Sequence, residues 1–175
     1  MQRIELDAGE QFRAIGRPDV ADDHPFSLEE LSGYVSDGRA WVAADGDGVP
    51  VGYAVVDRVD GHAHIEQVSV VPAHQGQGIG RALIDQARTW ASSTGLRGVT
   101  LTTFTEVPWN APLYRHLGFR VLADHELGPE LRALRDEEAA RGLDPTERVC
   151  MRLDLGAFGD WGPTEDWSEW RDAPR

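Results

Sequence analysis

The chain has 175 residues, of which 41% are hydrophobic, so there is enough apolar material for one domain with its own core. Thirty acidic residues against 17 basic ones give a formal charge of -13, which argues against nucleic acid and anionic membranes as partners. Both partners require clustered Lys and Arg. The acidity fits simple solubility and a cationic binding partner equally well.

Cysteine content and the start of the chain give an expectation about the compartment. Cys150 is the single cysteine, so no internal disulfide can form. The first residues contain no apolar stretch of the signal-peptide type, and no apolar run approaches the ~18 residues of a membrane span. We therefore expect a cytoplasmic protein.

The first elements are short. Alternation of polar and apolar residues over 3–6 predicts a strand, and weak helical spacing follows over 8–15. Ser27 stands three residues before Glu30, which is the arrangement of a capping box and predicts the start of a helix.

A run of strands comes next, predicted over 40–44, 51–57 and 62–71. Short connections rich in Gly and Asp join them and predict antiparallel hairpins. The apolar spacing then changes to about 3.6 and predicts a helix over 79–95, followed by a strand over 99–104. Because a strand, a crossover helix and a second strand make a parallel pair, the predicted fold class is α/β with a mixed sheet.

The last third predicts a short helix over 110–117, a strand-like stretch over 119–122 and a final strand over 149–155. Between the last two lies a helical insertion at about 124–147, in which Pro129 and Gly142 stand at the ends of the helix.

The predicted domain covers 1–155, and an acidic tail follows over 156–175. The tail carries Trp161, Trp167 and Trp170, and we expect these rings to pack on the domain or on a second subunit rather than to form a recognition motif.

The most informative stretch is the glycine-dense turn before the long helix. Gly76, Gly78 and Gly80 would bring backbone N–H groups to a helix start, which suits a phosphate or pyrophosphate. The spacing does not fit the dinucleotide fingerprint, whose last glycine position is held by Arg81, and no Gly-Lys-Ser/Thr follows. The turn therefore predicts a pyrophosphate cradle of another kind.

Residues 75–80 (Gln-Gly-Gln-Gly-Ile-Gly) match the Gln/Arg-x-x-Gly-x-Gly/Ala signature of the GCN5-related N-acetyltransferases, the GNAT family, which bind acetyl-CoA. Residues 70–72 are similar to the family's Val-x-Pro. Residues 110–119 are similar to its Asn-x-x-Ala/Pro-x-x-Tyr-x-x-x-Gly-Phe, with Tyr114, Gly118 and Phe119 in the family's spacing and Asn110 four rather than six residues before Tyr114. The resemblance covers about 2–155 and implies a mostly antiparallel sheet flanked by helices, with two splayed parallel strands at its centre.

The resemblance implies how acetyl-CoA is held. The pantetheine arm would bond to the backbone of the third strand of the run, and N–H groups of the glycine turn would bind the pyrophosphate. The implied cofactor-binding residues are Val68, Ser69, Val70, Gln75, Gly76, Gln77, Gly78, Ile79, Gly80, Arg81 and Asn110.

Acetyl transfer to an amine needs a base for the amine proton and an acid for the departing thiolate. His64 and Glu66 stand two apart on a strand, so they share a face, and both match positions where family members carry a base. Glu66 is the preferred base, and an acidic neighbour would raise the pKa of His64. Tyr114 matches the family's tyrosine acid. The structural alternatives are a solvated carboxylate at Glu66 and a packing ring at Tyr114.

His62 lies on the same strand face, so His62 and His64 also resemble a metal pair. Further ligands at fitting spacing are missing from the sequence, and no metal is expected.

The resemblance implies an N-acetyltransferase whose acceptor, a small cationic amine or a peptide amine, attacks the thioester directly. Asp22, Asp23 and Glu66 would favour a cation. A non-catalytic acetyl-CoA-binding regulatory domain is the alternative, although the presence of both a carboxylate and a tyrosine counts against it. Acetylation of aminoacyl-tRNA is disfavoured because basic surface is lacking. The resemblance also implies a possible homodimer, because dimers are common in the family.

Overall fold

The computed structural model describes residues 1–155. Its strands are β1 (Ala40–Ala44), β2 (Pro50–Val59), β3 (His62–Val70), β4 (Gly98–Phe104), β5 (Arg120–Val121) and β6 (Arg148–Asp154). Its helices are α1 (Gln2–Gly9), α2 (Gln11–Ala14), α3 (Pro18–Ala21), α4 (Leu28–Ser36), α5 (Ile79–Ser93), α6 (Ala111–His116) and α7 (Pro129–Ala140). The tail and its three tryptophans lie outside the described residues.

The strands form a six-stranded mixed sheet in the order β1-β2-β3-β4-β6-β5. β1 pairs antiparallel with β2, and β6 pairs antiparallel with both β4 and β5. β3 and β4 are parallel, with His64 opposite Thr100. The predicted fold class and the parallel pair across α5 are confirmed.

The strand predicted over 3–6 is wrong, because these residues belong to helix α1. Ile4 and Ala8 are four residues apart, so they lie on one helical face, and both are buried. Four alternating residues are too few to distinguish the strand period of 2 from the helix period of 3.6. Burial of the face that carries Ile4 and Ala8 favours the helix. The weak helical spacing over 8–15 corresponds to the end of α1 and to α2.

The chain divides into two compact units. The described residues of the first unit are Met1–Val56 and Gln67–Gln86. The predicted capping box is confirmed there: Ser27 Oγ accepts from the Glu30 backbone N–H, and the Ser27 N–H donates to the Glu30 carboxylate. The core of this unit includes a cluster of buried side chains: Ile4, Leu31, Tyr53 and Val55.

The second unit comprises Asp57–Glu66 and the described residues from Ala87 onward. Its core includes a cluster of Val59, Leu122, Leu131 and Cys150. The predicted insertion helix is α7, and its start is fixed by Asp60, whose carboxylate accepts from the N–H groups of Glu130 and Leu131 at 3.2 and 2.9 Å. Asp60 thus supplies the cap that Gly128, the residue before the helix, cannot supply.

No helix among residues 1–155 is long and apolar enough to cross a membrane.

Candidate active site

The glycine turn delivers backbone donors to the start of α5. Gly76 and Gly78 have φ angles of 72° and 80°, a left-handed conformation that favours glycine. The N–H of Ala82 donates to the carbonyl of Gly78 at 3.0 Å, so Gly78 occupies the position before the first turn of α5. The N–H groups from Gly78 to Arg81 therefore precede the first intrahelical donor.

The turn is open to a ligand on its own surface. Gln75, Gly76, Gln77 and Gly78 are exposed, while Ile79, Gly80 and Arg81 are partly buried. Gln75 also ties the turn to β3, because its side-chain Nε2 donates to the carbonyl of Val70 at 3.0 Å. The side chain of this residue therefore has a structural role that the motif alone did not indicate.

The end of β3 packs closely against Gly52 of β2. A Cβ at Gly52 would lie 3.1 Å from the carbonyl oxygen of Ser69 and 3.1 Å from Cγ2 of Ile79. Ser69 is buried, and its hydroxyl accepts from Nε2 of Gln67 at 2.9 Å, whereas Val68 and Val70 are partly buried. Sequence reasoning missed Gly52 as a residue that packs against the candidate cofactor-binding segment. An isolated Gly inside an apolar strand is the signal that could have found it.

His64 lies deep in the second unit, with 2% of its surface exposed. Its Nδ1 is hydrogen-bonded to Oγ1 of Thr100 at 3.0 Å. Burial lowers the pKa of His64 to about 4, although the carboxylates of Glu138 and Asp57 act in the opposite direction. The expected rise in the pKa of His64 is wrong, because desolvation outweighs the attraction of the nearby acids.

Glu66, two residues along β3, is only partly buried. Burial, followed by the carboxylates of Asp57 and Glu138, raises the pKa of Glu66 to about 7, although Arg141 acts in the opposite direction. A carboxyl group with this pKa can take up and release a proton near neutral pH.

Tyr114 lies on α6 with 9% of its surface exposed, and its ring packs edge-on against Phe119 with 5.6 Å between the centroids. Burial raises the pKa of Tyr114 to about 12, so the phenol keeps its proton at neutral pH. Asn110 precedes the helix, and its carbonyl accepts from the N–H of Tyr114 at 3.0 Å. The side chain of Asn110 makes no capping hydrogen bond to α6.

A second charged group in this unit was not found from the sequence. Glu138 of α7 is 7% exposed, and its carboxylate accepts from Arg148 at 2.9 Å, from Arg135 at 2.6 Å and from the hydroxyl of Thr102. The signal that could have found it is helical spacing, because Glu138 follows the buried Leu131 by seven residues and shares its face.

The acidic loop near the start of the chain is partly neutralised. Asp22 forms an ion pair with Arg13, and a second hydrogen bond between them measures 3.3 Å. The hydrogen bond from Arg13 lowers the pKa of Asp22.

His62 is buried, and its Nδ1 lies 3.0 Å from the carbonyl oxygen of Asp60. In residues 1–155 no group of three or more His, Cys, Asp or Glu side chains could hold a metal ion.

The sequence of the chain matches a known protein family. The sequence profile of the Acetyltransferase (GNAT) family matches residues 6–119, which include the glycine turn, Glu66 and Tyr114. The chain belongs to the GNAT family. It is therefore an acetyltransferase, and GNAT enzymes use acetyl-CoA as their cosubstrate.

Two curated relatives of this GNAT chain are acetyltransferases. Peptidyl-lysine N-acetyltransferase YjaB of Salmonella typhimurium is 28% identical over 73% of this chain and 87% of its own length. Streptothricin acetyltransferase of Streptomyces lavendulae is 37% identical, but the match covers 48% of this chain and 46% of that protein. The chain therefore aligns with about half of the streptothricin enzyme.

Among solved structures, a Bacillus anthracis acetyltransferase in complex with acetyl coenzyme A has the same fold. Its TM-score is 0.52 at 22% identity, and the match covers 66% of this chain and 61% of that chain.

Proposed function

We propose that this GNAT chain transfers the acetyl group of acetyl-CoA to a primary amine by direct attack of the amine on the thioester. In this proposal Glu66 is the general base and Tyr114 is the acid. The observation that carries the proposal is the carboxyl group of Glu66, partly buried on β3, whose pKa is raised to about 7. An amine is a nucleophile only when neutral, and a base with this pKa can remove its proton under ordinary conditions.

The structure favours Glu66 over His64 as the base. His64 is almost completely buried, and one of its ring nitrogens is already bonded to Thr100. A group with a pKa of about 4 is also a weak base for an ammonium ion. Glu66 is less buried than His64, and in the proposal a substrate amine or a bridging water reaches its carboxylate.

Tyr114 suits the role of acid. Its phenol carries a proton at neutral pH, and burial raises its pKa from 10 to about 12. In the proposed sequence of steps, Glu66 accepts the amine proton, the amine nitrogen bonds to the acetyl carbon and the carbon–sulfur bond breaks. Tyr114 donates its proton to the departing sulfur, and the second proton that the nitrogen loses as the amide forms returns to the phenolate of Tyr114. The backbone N–H near Val68 is the proposed donor to the oxyanion of the tetrahedral intermediate.

The glycine turn is proposed to bind the pyrophosphate of acetyl-CoA. Its N–H groups precede the first turn of α5, and the lack of side chains at Gly76 and Gly78 lets an anion come close. Val68, Ser69 and Val70 would pair with the pantetheine amides through their backbone, and Asn110 would help to hold the CoA arm. The turn needs no basic side chain for this, since backbone donors suffice.

The proposed acceptor is a cationic primary amine, either on a small molecule or on a peptide. The net charge of -13 favours positively charged partners. One relative is named as a peptidyl-lysine acetyltransferase and the other as a streptothricin acetyltransferase, so both acceptor classes occur among related proteins.

The test is an acceptor screen with release of free CoA thiol as the readout. The panel contains lysine peptides, polyamines and streptothricin-type antibiotics, each with the wild type and Glu66→Gln. Acetyl-CoA binding is measured on both proteins by calorimetry. We expect turnover with at least one amine, a large loss in Glu66→Gln and equal acetyl-CoA affinity. Tight acetyl-CoA binding without turnover across the panel would contradict the enzyme and favour a regulatory acetyl-CoA-binding domain.

A further inference from the structure

We propose that Glu138 is a positioning residue for Glu66 and that the inserted helix α7, which carries Glu138, is thereby part of the active site. This inference rests on the proposed function, in which Glu66 is the base. It extends that function to a segment outside the motifs on which the family resemblance depends.

The first support is the shared face of the sheet. His64 of β3 is in register with Thr100 of β4, and residues in register point to the same side. Glu66 and Thr102 each lie two residues further along, so they continue the same face. On β6, Cys150 is the partner of Thr102 and belongs to this face as well.

Helix α7 covers this face. Cys150 clusters with Leu131 of α7 and with Val59 of β2. Asp57 stands two residues before Val59 on β2 and therefore shares its side of the sheet. Glu138, seven residues after Leu131, is directed toward the sheet and accepts a hydrogen bond from Thr102.

The second support is that Glu138 is held in place and ionised. Arg148 of β6 donates to it at 2.9 Å and Arg135 of α7 at 2.6 Å. Burial alone would raise the pKa of Glu138, but the two arginines and the hydroxyl of Thr102 together keep it below its ordinary value. The carboxylate is thus a fixed negative charge at neutral pH.

The charges that act on Glu66 come from several elements. β2 contributes Asp57, and α7 contributes Glu137 and Glu138, while Arg141 at the end of α7 opposes them. Burial is the largest cause of the raised pKa of Glu66, and Asp57 and Glu138 follow in that order.

Loss of the charge on Glu138 would remove the repulsion between its carboxylate and that of Glu66. The ionised form of Glu66 would then be favoured, and Glu66 would be a weaker base. Glu138 therefore adds to the rise in the proton affinity of Glu66 that burial produces.

The experiment is a titration of the Glu66 side-chain carboxyl by ¹³C NMR, with the signal assigned by its absence in Glu66→Gln. Glu138→Gln keeps the size of the side chain and removes the charge. We expect the Glu66 midpoint to fall by about 0.5 to 1 pH unit. The matched control is Asp136→Asn, an exposed acid on the same helix, in which the midpoint should stay at the wild-type value.

A midpoint in Glu138→Gln equal to that of the wild type overturns the inference. If Glu138→Gln does not fold, Glu138→Gln with Arg148→Met removes the buried pair together. A fall in the Glu66 midpoint that is smaller than in Glu138→Gln alone is then expected, and its absence again overturns the inference.

The pH dependence of kcat/KM separates this inference from the proposed function. If Glu138→Gln lowers the Glu66 midpoint and shifts the acid limb of the kcat/KM profile by the same amount, the result supports both the role of Glu138 and the base role of Glu66. A fall in the midpoint with an unmoved limb supports the action of Glu138 on Glu66 but contradicts the base role of Glu66. An unchanged midpoint together with a limb that Glu66→Gln abolishes overturns the role of Glu138 alone.

Discussion

Nδ1 of His64 lies 3.0 Å from Oγ1 of Thr100, and the two residues are register partners on the parallel strands β3 and β4. Both side chains are about 2% exposed. A hydrogen bond at this depth satisfies two groups that would otherwise be costly to bury. We therefore propose that His64 supports the strand that carries Glu66.

Thr100→Val tests this assignment, because it removes the hydrogen bond and keeps the shape of the side chain. We expect unfolding by urea to show a loss of about 1–3 kcal/mol, since the ring nitrogen of His64 is left without its partner. Turnover should stay within a few-fold of the wild type. A loss of turnover of about 100-fold at unchanged stability would indicate instead that His64 takes part in the chemistry.

Stability as a function of pH gives a test of Glu66 that needs no acceptor. The pKa of Glu66 is raised from 4.5 to about 7 on folding, so its contribution to stability is present below pH 4.5 and is lost as the pH rises through 7. Glu66→Gln does not titrate. Relative to the wild type, its free energy of unfolding should therefore increase between pH 4.5 and pH 8 by roughly 3 kcal/mol.

His64 acts in the opposite sense, because its pKa is lowered from 6.5 to about 4 and its contribution is lost as the pH falls through that window. This contribution is common to both proteins, so the difference between them isolates Glu66. A difference that is flat from pH 4.5 to 8 would mean that Glu66 has an ordinary pKa.

Tyr114→Phe should lower kcat by about 100-fold and leave the affinity for acetyl-CoA unchanged, because only the proton donor is removed. Stopped assays of CoA release and calorimetry measure the two quantities. Phe119→Leu is the matched control: it removes the ring contact to Tyr114 and keeps the hydroxyl. It should reduce stability and leave kcat within a few-fold. Full turnover in Tyr114→Phe would assign the ring to packing alone.

Gly78→Ala should weaken acetyl-CoA binding by about tenfold or more, because a methyl group would stand where the anion approaches the N–H groups. The φ of 80° also makes the variant less stable by about 1–2 kcal/mol. Gly38→Ala is the control, since Gly38 has a φ of 66° and, as at Gly78, a Cβ placed on it would have no atom within 4 Å. Equal acetyl-CoA affinity in the two variants would exclude the turn as the pyrophosphate site.

The central sheet could be predicted from the sequence because its strands are bounded by short Gly and Asp turns and its apolar period changes sharply at Ile79. β1 has the predicted bounds, and β4 and β6 begin within one residue of them. The start of the chain could not be predicted, because the four residues from Arg3 to Leu6 fit either period and only the burial of Ile4 and Ala8 selects the helix.

The sequence indicates candidate site residues for a related reason. The glycine spacing and the positions of Glu66 and Tyr114 are local in the sequence, so a motif can indicate them. The deep burial of His64 and the charge of Glu138 near Glu66 depend on packing between distant segments. An acidic neighbour in the sequence suggested a raised pKa for His64, but desolvation has the larger effect once the side chain is buried.

The most direct test of the central claim is the pH dependence of kcat/KM with the best amine acceptor, for the wild type and Glu66→Gln. Glu66 must be ionised to act as the base, so the wild-type profile should rise with pH through a midpoint of about 7. Glu66→Gln should be slower by about 100-fold or more and should lack this limb. A limb with the same midpoint in Glu66→Gln would contradict the assignment of Glu66 as the general base.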